Sequence, residues 1–195
     1  MSVAPPREVW LIRHAESTWN AIRRWQGHGD PVLSERGRSQ AEALAEALRA
    51  VELEELWTSD LRRAQETAEA LSRGLGLPLR VDSRLRERDL GSWSGLSTAQ
   101  IAGRWPEGLA RLRAGDPEFE PGGGESLATV RRRAADFLDT LAPVGGRIAL
   151  VTHGGWIHAL TPHQRAENAE ALVMPLEALR GGAASRATLA EEDRL

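Results

Sequence analysis

Residues 9–20 read VWLIRHAESTWN, and the fold turns on how the join between the apolar run and the polar group is read. Val9 to Ile12 is short, apolar and rich in strand formers, which suits a buried strand. At its tip Arg13 and His14 stand side by side, followed by Glu16, Ser17 and Asn20. So many polar groups after a strand make either a solvated turn or a site, and the rest of the chain decides between them.

Outward from this strand, SERGRSQAEALAEALRAV from Ser34 places Ala41, Leu44, Ala45, Leu48 and Val51 on one stripe at helical spacing, with Ser34 as cap. Leu53 to Thr58 reads as a second strand. It hands into a helix carrying Leu61, Ala64, Ala68 and Leu71 on one face, ended by glycine. Leu79 to Val81 is a short third strand. Residues 95–121, with the helical pieces STAQIAGRW and EGLARLR and then the breaker-rich GDPEFEPGGGES, read as an insertion covering the site. Ser126 to Leu141 is helical, and Arg147 to Val151 is a strand leading into Thr152, His153, Gly154 and Gly155. Strands alternating with helices predict an α/β fold: three layers, α/β/α, around a mostly parallel central sheet. At 195 residues the chain fits one domain, with a polar tail over about 181–195 expected to be mobile.

The net charge of −3 gives no field for nucleic acid or an anionic membrane, so any anionic ligand must be caught locally. All 25 basic residues are Arg, and there is no Cys, which excludes disulfide and thiol chemistry. No run of about 18 apolar residues appears, and a cytoplasmic protein is the simplest expectation.

In a parallel sheet the strand ends share one edge, and ligands sit beyond it. That edge would gather Arg13 and His14 from the first strand, residues 59–63 after the second, and His153 after the last. Two His and two Arg there would attract a phosphate dianion, because the guanidinium fork matches phosphate oxygens and helices starting nearby add N–H donors. No metal-ligand spacing, P-loop or dinucleotide fingerprint is present, so no metal or cofactor is expected.

Six ordered blocks then make a resemblance plain: RHAESTWN (13–20), QGHGDPVLSERGRSQA (26–41), SDLRRAQETA (59–68), LRERDLGSWSG (85–95), PGGGES (121–126) and VTHGG (151–155). They resemble the histidine phosphatase superfamily, also called the phosphoglycerate mutase family. The resemblance implies that His14 is the nucleophile, forming a phosphohistidine that water hydrolyses. It implies Glu87 as the acid that protonates the leaving oxygen, which it can do only if it arrives protonated. His153 joins the catalytic group, with Arg13, Asn20, Gln26, Gly27, Arg63 and Gly154 binding the substrate. The block aligns Arg63, rather than Arg62, as the phosphate ligand. A nucleophilic imidazole must be neutral, and the cations around His14 should lower its pKa to keep it so. The implied activity is metal-independent hydrolysis of a small phosphorylated metabolite.

Bland readings stand beside these. Glu87 lies among Arg84, Arg86 and Arg88, so a surface ion pair is its alternative role. Trp93 is expected to pack beneath its loop. His28 is balanced between substrate contact and structure, while His158 and His163 are read as structural or exposed. The run Arg131 to Arg133 is read as mostly a solvated face.

The chain departs from the family pattern at Ala15, which replaces a glycine, and after residue 161, where no alternating strand pattern is visible except at Ala187 to Leu189. Ala15 matters only if its backbone needs a positive φ. The short segment between Gly95 and Pro121, carrying only Arg104, Arg111 and Arg113, favours a phosphatase over a cofactor-dependent mutase. A phosphate-binding regulatory protein without turnover is the alternative of another class, and a homodimer is a candidate assembly.

Overall fold

A computed structural model describes residues 7–143 and 145–181. In chain order its elements are β1 (Glu8–Arg13), α1 (Thr18–Ala21), α2 (Glu35–Ala47), β2 (Leu53–Thr58), α3 (Arg62–Leu75), β3 (Leu79–Val81), α4 (Thr98–Arg104), α5 (Pro106–Arg113), α6 (Leu127–Leu138), β4 (Arg147–Thr152), α7 (Gly154–Leu160), β5 (Ala171–Pro175) and α8 (Leu176–Arg180). The sheet order is β3-β2-β4-β1-β5, parallel except for β5, which runs antiparallel to β1.

Alternation along the central strands divides the core into two layers. Ile148 and Leu150 of β4 join Val9 and Leu11 of β1 on one face, against Val130, Phe137 and Trp156 of α6 and α7. Ala149 and Val151 join Ile12 and Leu56 on the other, against Leu44 and Leu48 and against Ala64, Ala68 and Leu71 of α3. Helices therefore cover both faces, giving the three-layer α/β/α arrangement. The helix starts obey capping rules: Ser34 and Ser126 accept from the third helical amide, while Ser17 and Ser97 form full capping boxes.

Residues 95–121 build a satellite core of their own around Trp93, which is buried against Leu90, Ile101 and Leu109. Trp25 meets Trp93 edge-on at 6.1 Å. The backbone of Trp25 is bonded in both directions, its N–H to Leu96 O at 2.9 Å and its carbonyl from Gly95 N at 2.8 Å. The segment is thereby tied to the loop that carries Gln26 and Gly27.

The end of the chain corrects the sequence reading. ALVMP, residues 171–175, is a strand on the β1 edge although it does not alternate; the suspected strand at Ala187 to Leu189, like the tail from 182 onward, lies outside the described residues. An edge strand this short is defined by its pairing with a distant strand rather than by local pattern, and Pro175 is tolerated at its last position. The loop leading into it holds Ala169 at φ 61°. A left-handed alanine is strained. Ala169→Gly is therefore expected to stabilise the fold by about 0.5–1 kcal/mol, measured as a rise in the urea midpoint. Ala15 has no positive φ: among the described residues that distinction falls only to Arg23, Glu52 and Ala169 outside glycine. Its methyl is fully buried with Leu33, Ala41 and Ala70.

Candidate active site

Strand register assembles the site. Arg13 pairs with Thr152, which sets the next residues, His14 and His153, side by side at the carboxyl ends of neighbouring strands. His14 N–H donates to Thr152 O at 2.9 Å, and the two imidazole centroids lie 5.1 Å apart. Ser59 N–H donates to Val151 O at 3.1 Å, which brings the start of α3, and with it Arg63, to the same edge.

His14 is buried and its tautomer follows from its partners. Nδ1 lies 2.7 Å from Ala15 O, which can only accept, so Nδ1 carries the proton. Nε2 then presents its lone pair, and Arg63 Nε donates to it at 3.2 Å. Burial, then the Arg63 and Arg13 charges, hold the His14 pKa well below the ordinary imidazole value. His153 is equally buried and its pKa is likewise well lowered, by burial and then by Arg63. Neither of its ring nitrogens has a hydrogen-bond partner among the described residues. Buried polar atoms left without partners are costly, and the one N–H of this neutral ring could be completed by an oxygen of an anion bound beside His14.

Arg63 is fully buried, while Arg62 is exposed and paired with Glu66. The Arg63 fork reaches Gly29 O at 2.7 Å and Gly27 O at 2.9 Å as well as His14. Burial brings its pKa down to about 10, with Glu87 and Asp30 acting in the opposite direction. Gly27 has φ 48°, and a Cβ there would stand 2.8 Å from Leu90 N and from Ser94 Oγ, so only glycine brings this carbonyl to Arg63. Arg13 Nη1 donates to Ala166 O at 3.0 Å, leaving Nε without a partner. Gly154, the first residue of α7, lies against that Arg13 side chain.

Asn20 and Gln26 are both turned by Ser17. Asn20 Oδ1 accepts from Ser17 N at 3.0 Å and Gln26 Oε1 lies 2.8 Å from Ser17 Oγ. With their oxygens occupied, the amide NH2 groups are the ends left to donate, and no hydrogen bond within the described residues uses them.

The family model described as "Histidine phosphatase superfamily (branch 1)" matches residues 9–177. The chain belongs to the histidine phosphatase superfamily. It is 40% identical over 165 residues to glucosyl-3-phosphoglycerate phosphatase of Mycobacterium tuberculosis, covering 80% of this chain and 74% of that protein. It is 37% identical to metal-independent phosphoserine phosphatase of Arabidopsis thaliana, over 78% of this chain and 66% of the relative. A solved mycobacterial glucosyl-3-phosphoglycerate phosphatase in complex with VO3 superposes with a TM-score of 0.78 at 36% identity, covering 86% of this chain and 90% of that one.

In this histidine phosphatase the arginines around Glu87 are committed elsewhere. Arg84 is bound to Asp82 at 2.6 Å, Arg86 to Asp60 at 2.5 Å, and Arg88 to the carbonyls of Glu125 and Phe119. Glu87 instead accepts from two backbone amides, Arg88 N at 2.8 Å and Gly155 N at 3.2 Å. A Cβ on Gly155 would collide with Glu87 Oε1. Gly155→Ala is therefore expected to displace this carboxyl group and lower kcat by roughly 100-fold, the usual cost of misplacing a reacting group by about 1 Å, with KM for p-nitrophenyl phosphate nearly constant.

Several supports escape sequence reading. Asn168 Nδ2 donates to His14 O at 2.9 Å, and Thr67 Oγ1 accepts from Ala15 N at 3.0 Å while donating to Arg63 O at 2.7 Å. Thr67 stood in the third block, but nothing local marked Asn168. His28 Nε2 bonds the Glu87 carbonyl at 2.8 Å, a structural contact. Arg133 is the exception to the reading of residues 131–133 as mostly a solvated face: its guanidinium holds the carbonyls of Arg84, Arg86 and Glu87 and the Glu125 carboxylate. Arg131 and Arg132 are exposed. The helix period places position 133 one turn before Phe137 on the buried side, a signal that a run of identical residues conceals.

Proposed function

We propose that the protein hydrolyses phosphomonoesters through a phosphohistidine on His14. The observation that carries this is the neutral, buried His14, with its Nε2 lone pair presented among Arg13, Arg63 and the unpartnered His153. Arg63 Nε leaves the Nε2 lone pair for a phosphate oxygen, and Nε2 attacks phosphorus; the Nε2–P bond forms as the bond from phosphorus to the alcohol oxygen breaks. Arg13, Arg63, His153 and the amides of Asn20 and Gln26 stabilise the charge on the transferring oxygens, with Gly27 and Gly154 shaping the recess. Glu87 is the acid proposed to give a proton to the leaving oxygen. It then takes a proton from water as the new O–P bond forms and the Nε2–P bond breaks, releasing phosphate. The phosphatase names of the two relatives above and the engagement of Arg111 by Asp116 at 2.7 Å, which withdraws one of the three cations of residues 95–121, favour hydrolysis over mutase chemistry. A cytoplasmic setting belongs to the same proposal; no helix among the described residues is long and apolar enough to cross a membrane.

Hydrolysis of p-nitrophenyl phosphate and 3-phosphoglycerate by the purified protein tests the reading. Release of phosphate supports it, whereas robust 2,3-bisphosphoglycerate-dependent isomerisation of phosphoglycerate with negligible hydrolysis would overturn it.

The pH profile is a further test. Protonation removes the nucleophile, and the folded-state pKa of His14 is depressed, so the acid limb of kcat/KM should fall well below pH 6.5, the ordinary imidazole value. Stability carries the same sign. Between that value and the lowered folded-state values the unfolded chain binds more protons at positions 14 and 153, so the stability present above pH 6.5 is lost progressively as pH falls below it. Urea unfolding at a series of pH values reads this directly.

A further inference from the structure

Glu87 lies in a stretch that no helix or strand holds. A short turn ends at Leu85, and the next begins at Gly91. Backbone acceptors in such a stretch need partners from elsewhere, and here side chains supply all of them from Arg84 to Glu87. Arg84 O accepts from Trp156 Nε1 and Arg133 Nη1, each at 2.9 Å. Leu85 O accepts from Thr152 Oγ1 at 2.7 Å, and Arg86 O from Arg133 Nη1 at 2.7 Å. Glu87 O accepts from Arg133 Nη2 and from His28 Nε2, each at 2.8 Å.

Arg133 is itself oriented. Its Nε donates to Glu125 Oε1 at 3.0 Å and its Nη2 to Glu125 Oε2 at 2.9 Å, so that all five N–H groups of the guanidinium have acceptors. The same Glu125 Oε2 takes the amide of Asp89 at 2.9 Å. One ion pair therefore grips the chain before Glu87, at Glu87 and after it. Both partners are largely buried, at 17% and 21% side-chain exposure, and Arg133 stands on α6, whose Val130, Ala134 and Phe137 are fixed in the core. Glu125 stood in the fifth sequence block without a role. The anchored backbone delivers the Glu87 carboxyl group to the amide of Gly155, in the first turn of α7 next to His153.

We propose that Arg133, held by Glu125 and joined by His28, is the positioning residue for the Glu87 acid, setting its distance from the leaving oxygen without touching the substrate. The inference rests on the phosphatase reading above, with Glu87 as its acid. Misplacing a reacting group by about 1 Å removes much of its effect, and the loss falls on esters whose leaving group needs a proton. Phenyl phosphate is such an ester, since phenol holds its proton to about pH 10, as tyrosine does. The p-nitrophenolate ion is stabilised by its nitro group and leaves without one.

These two esters, nearly matched in shape, test the inference through kcat/KM, with a urea unfolding curve for each variant. Arg133→Met keeps the apolar stem and removes the fork. It is expected to lose about tenfold more kcat/KM on phenyl phosphate than on p-nitrophenyl phosphate, a part of the whole effect of a general acid. Glu87→Gln should show the same split at least as strongly. Arg133→Lys restores charge without the five donors and should keep the split. Arg132→Ala, on the exposed side of α6, should behave as wild type on both esters. His28→Ala removes one of the two donors to Glu87 O and should show the split in smaller measure, which decides the matter if Arg133→Met does not fold. Equal losses on both esters, or none, in folded Arg133→Met would overturn the inference, as would the same result in His28→Ala where Arg133→Met is unfolded. A Glu87→Gln variant without the split would overturn Glu87 as the acid and this inference with it, leaving His14 in place. Failure of the wild-type protein to hydrolyse either ester would overturn the phosphatase reading itself.

Discussion

His14→Ala is expected to lower kcat for p-nitrophenyl phosphate by on the order of 10^5, because removing a covalent nucleophile leaves only the binding and electrostatic parts of catalysis. The structure sharpens this expectation. Nδ1 is committed to Ala15 O, the Nε2 lone pair is aligned by Arg63, and burial keeps the ring neutral, so no neighbour stands ready to take over. His153 is the imidazole beside it in the recess, but among the described residues its ring has no hydrogen-bond partner. KM should change far less than kcat, since Arg13, Arg63 and the two amides still bind phosphate. Steady-state kinetics with an unfolding curve for the variant checks both statements, and wild-type turnover by folded His14→Ala would refute the assignment.

Arg63→Ala should show the second largest effect, and it should be a double one. The guanidinium orients Nε2, supplies charge for the transferring phosphoryl group and satisfies the carbonyls of Gly27 and Gly29. Loss of the electrostatic part is expected to cost on the order of 10^3 in kcat/KM. The buried Gly27 carbonyl and the half-buried Gly29 carbonyl left unpaired should cost about 1–3 kcal/mol of stability. Because Arg63 is the largest charge influence on His14 after burial, the acid limb of the pH profile should also move up toward the ordinary imidazole value. Arg63→Lys restores charge without the fork and cannot serve His14, Gly27 and Gly29 together. It should recover part of the pH shift but little of the stability. A variant with normal stability and an unmoved acid limb would show that Arg63 is not the organising residue.

The parts of the fold legible in the sequence are those in which burial imposes a period. β1 and β4 are apolar because both of their faces are covered, and α2 and α3 carry clean stripes because each has one dry side. β5 was not legible: Leu172 and Val173 are partly buried in succession on an edge strand, so neither alternation nor a long apolar run marks it. The residues proposed to carry the chemistry stood in recognisable blocks, several of them at strand ends, where topology rather than distance along the chain brings them together. Their supports did not. Asn168 and Arg133 act through backbone carbonyls, and a carbonyl acceptor leaves no trace in residue type at the position that provides it. Ala15 is explained by its surroundings: a small apolar cluster accepts the methyl, and the backbone there is not left-handed.

The central claim is that phosphorus is transferred to His14 Nε2. Quenching turnover of 3-phosphoglycerate or p-nitrophenyl phosphate in alkali, which preserves phosphohistidine, followed by mass spectrometry of the peptides, tests it most directly. The account predicts one phosphoryl group on the peptide containing His14, absent in His14→Ala and, with p-nitrophenyl phosphate, whose leaving group needs no acid, accumulating in Glu87→Gln. Steady hydrolysis with no label on His14, or with the label on another residue, would contradict it.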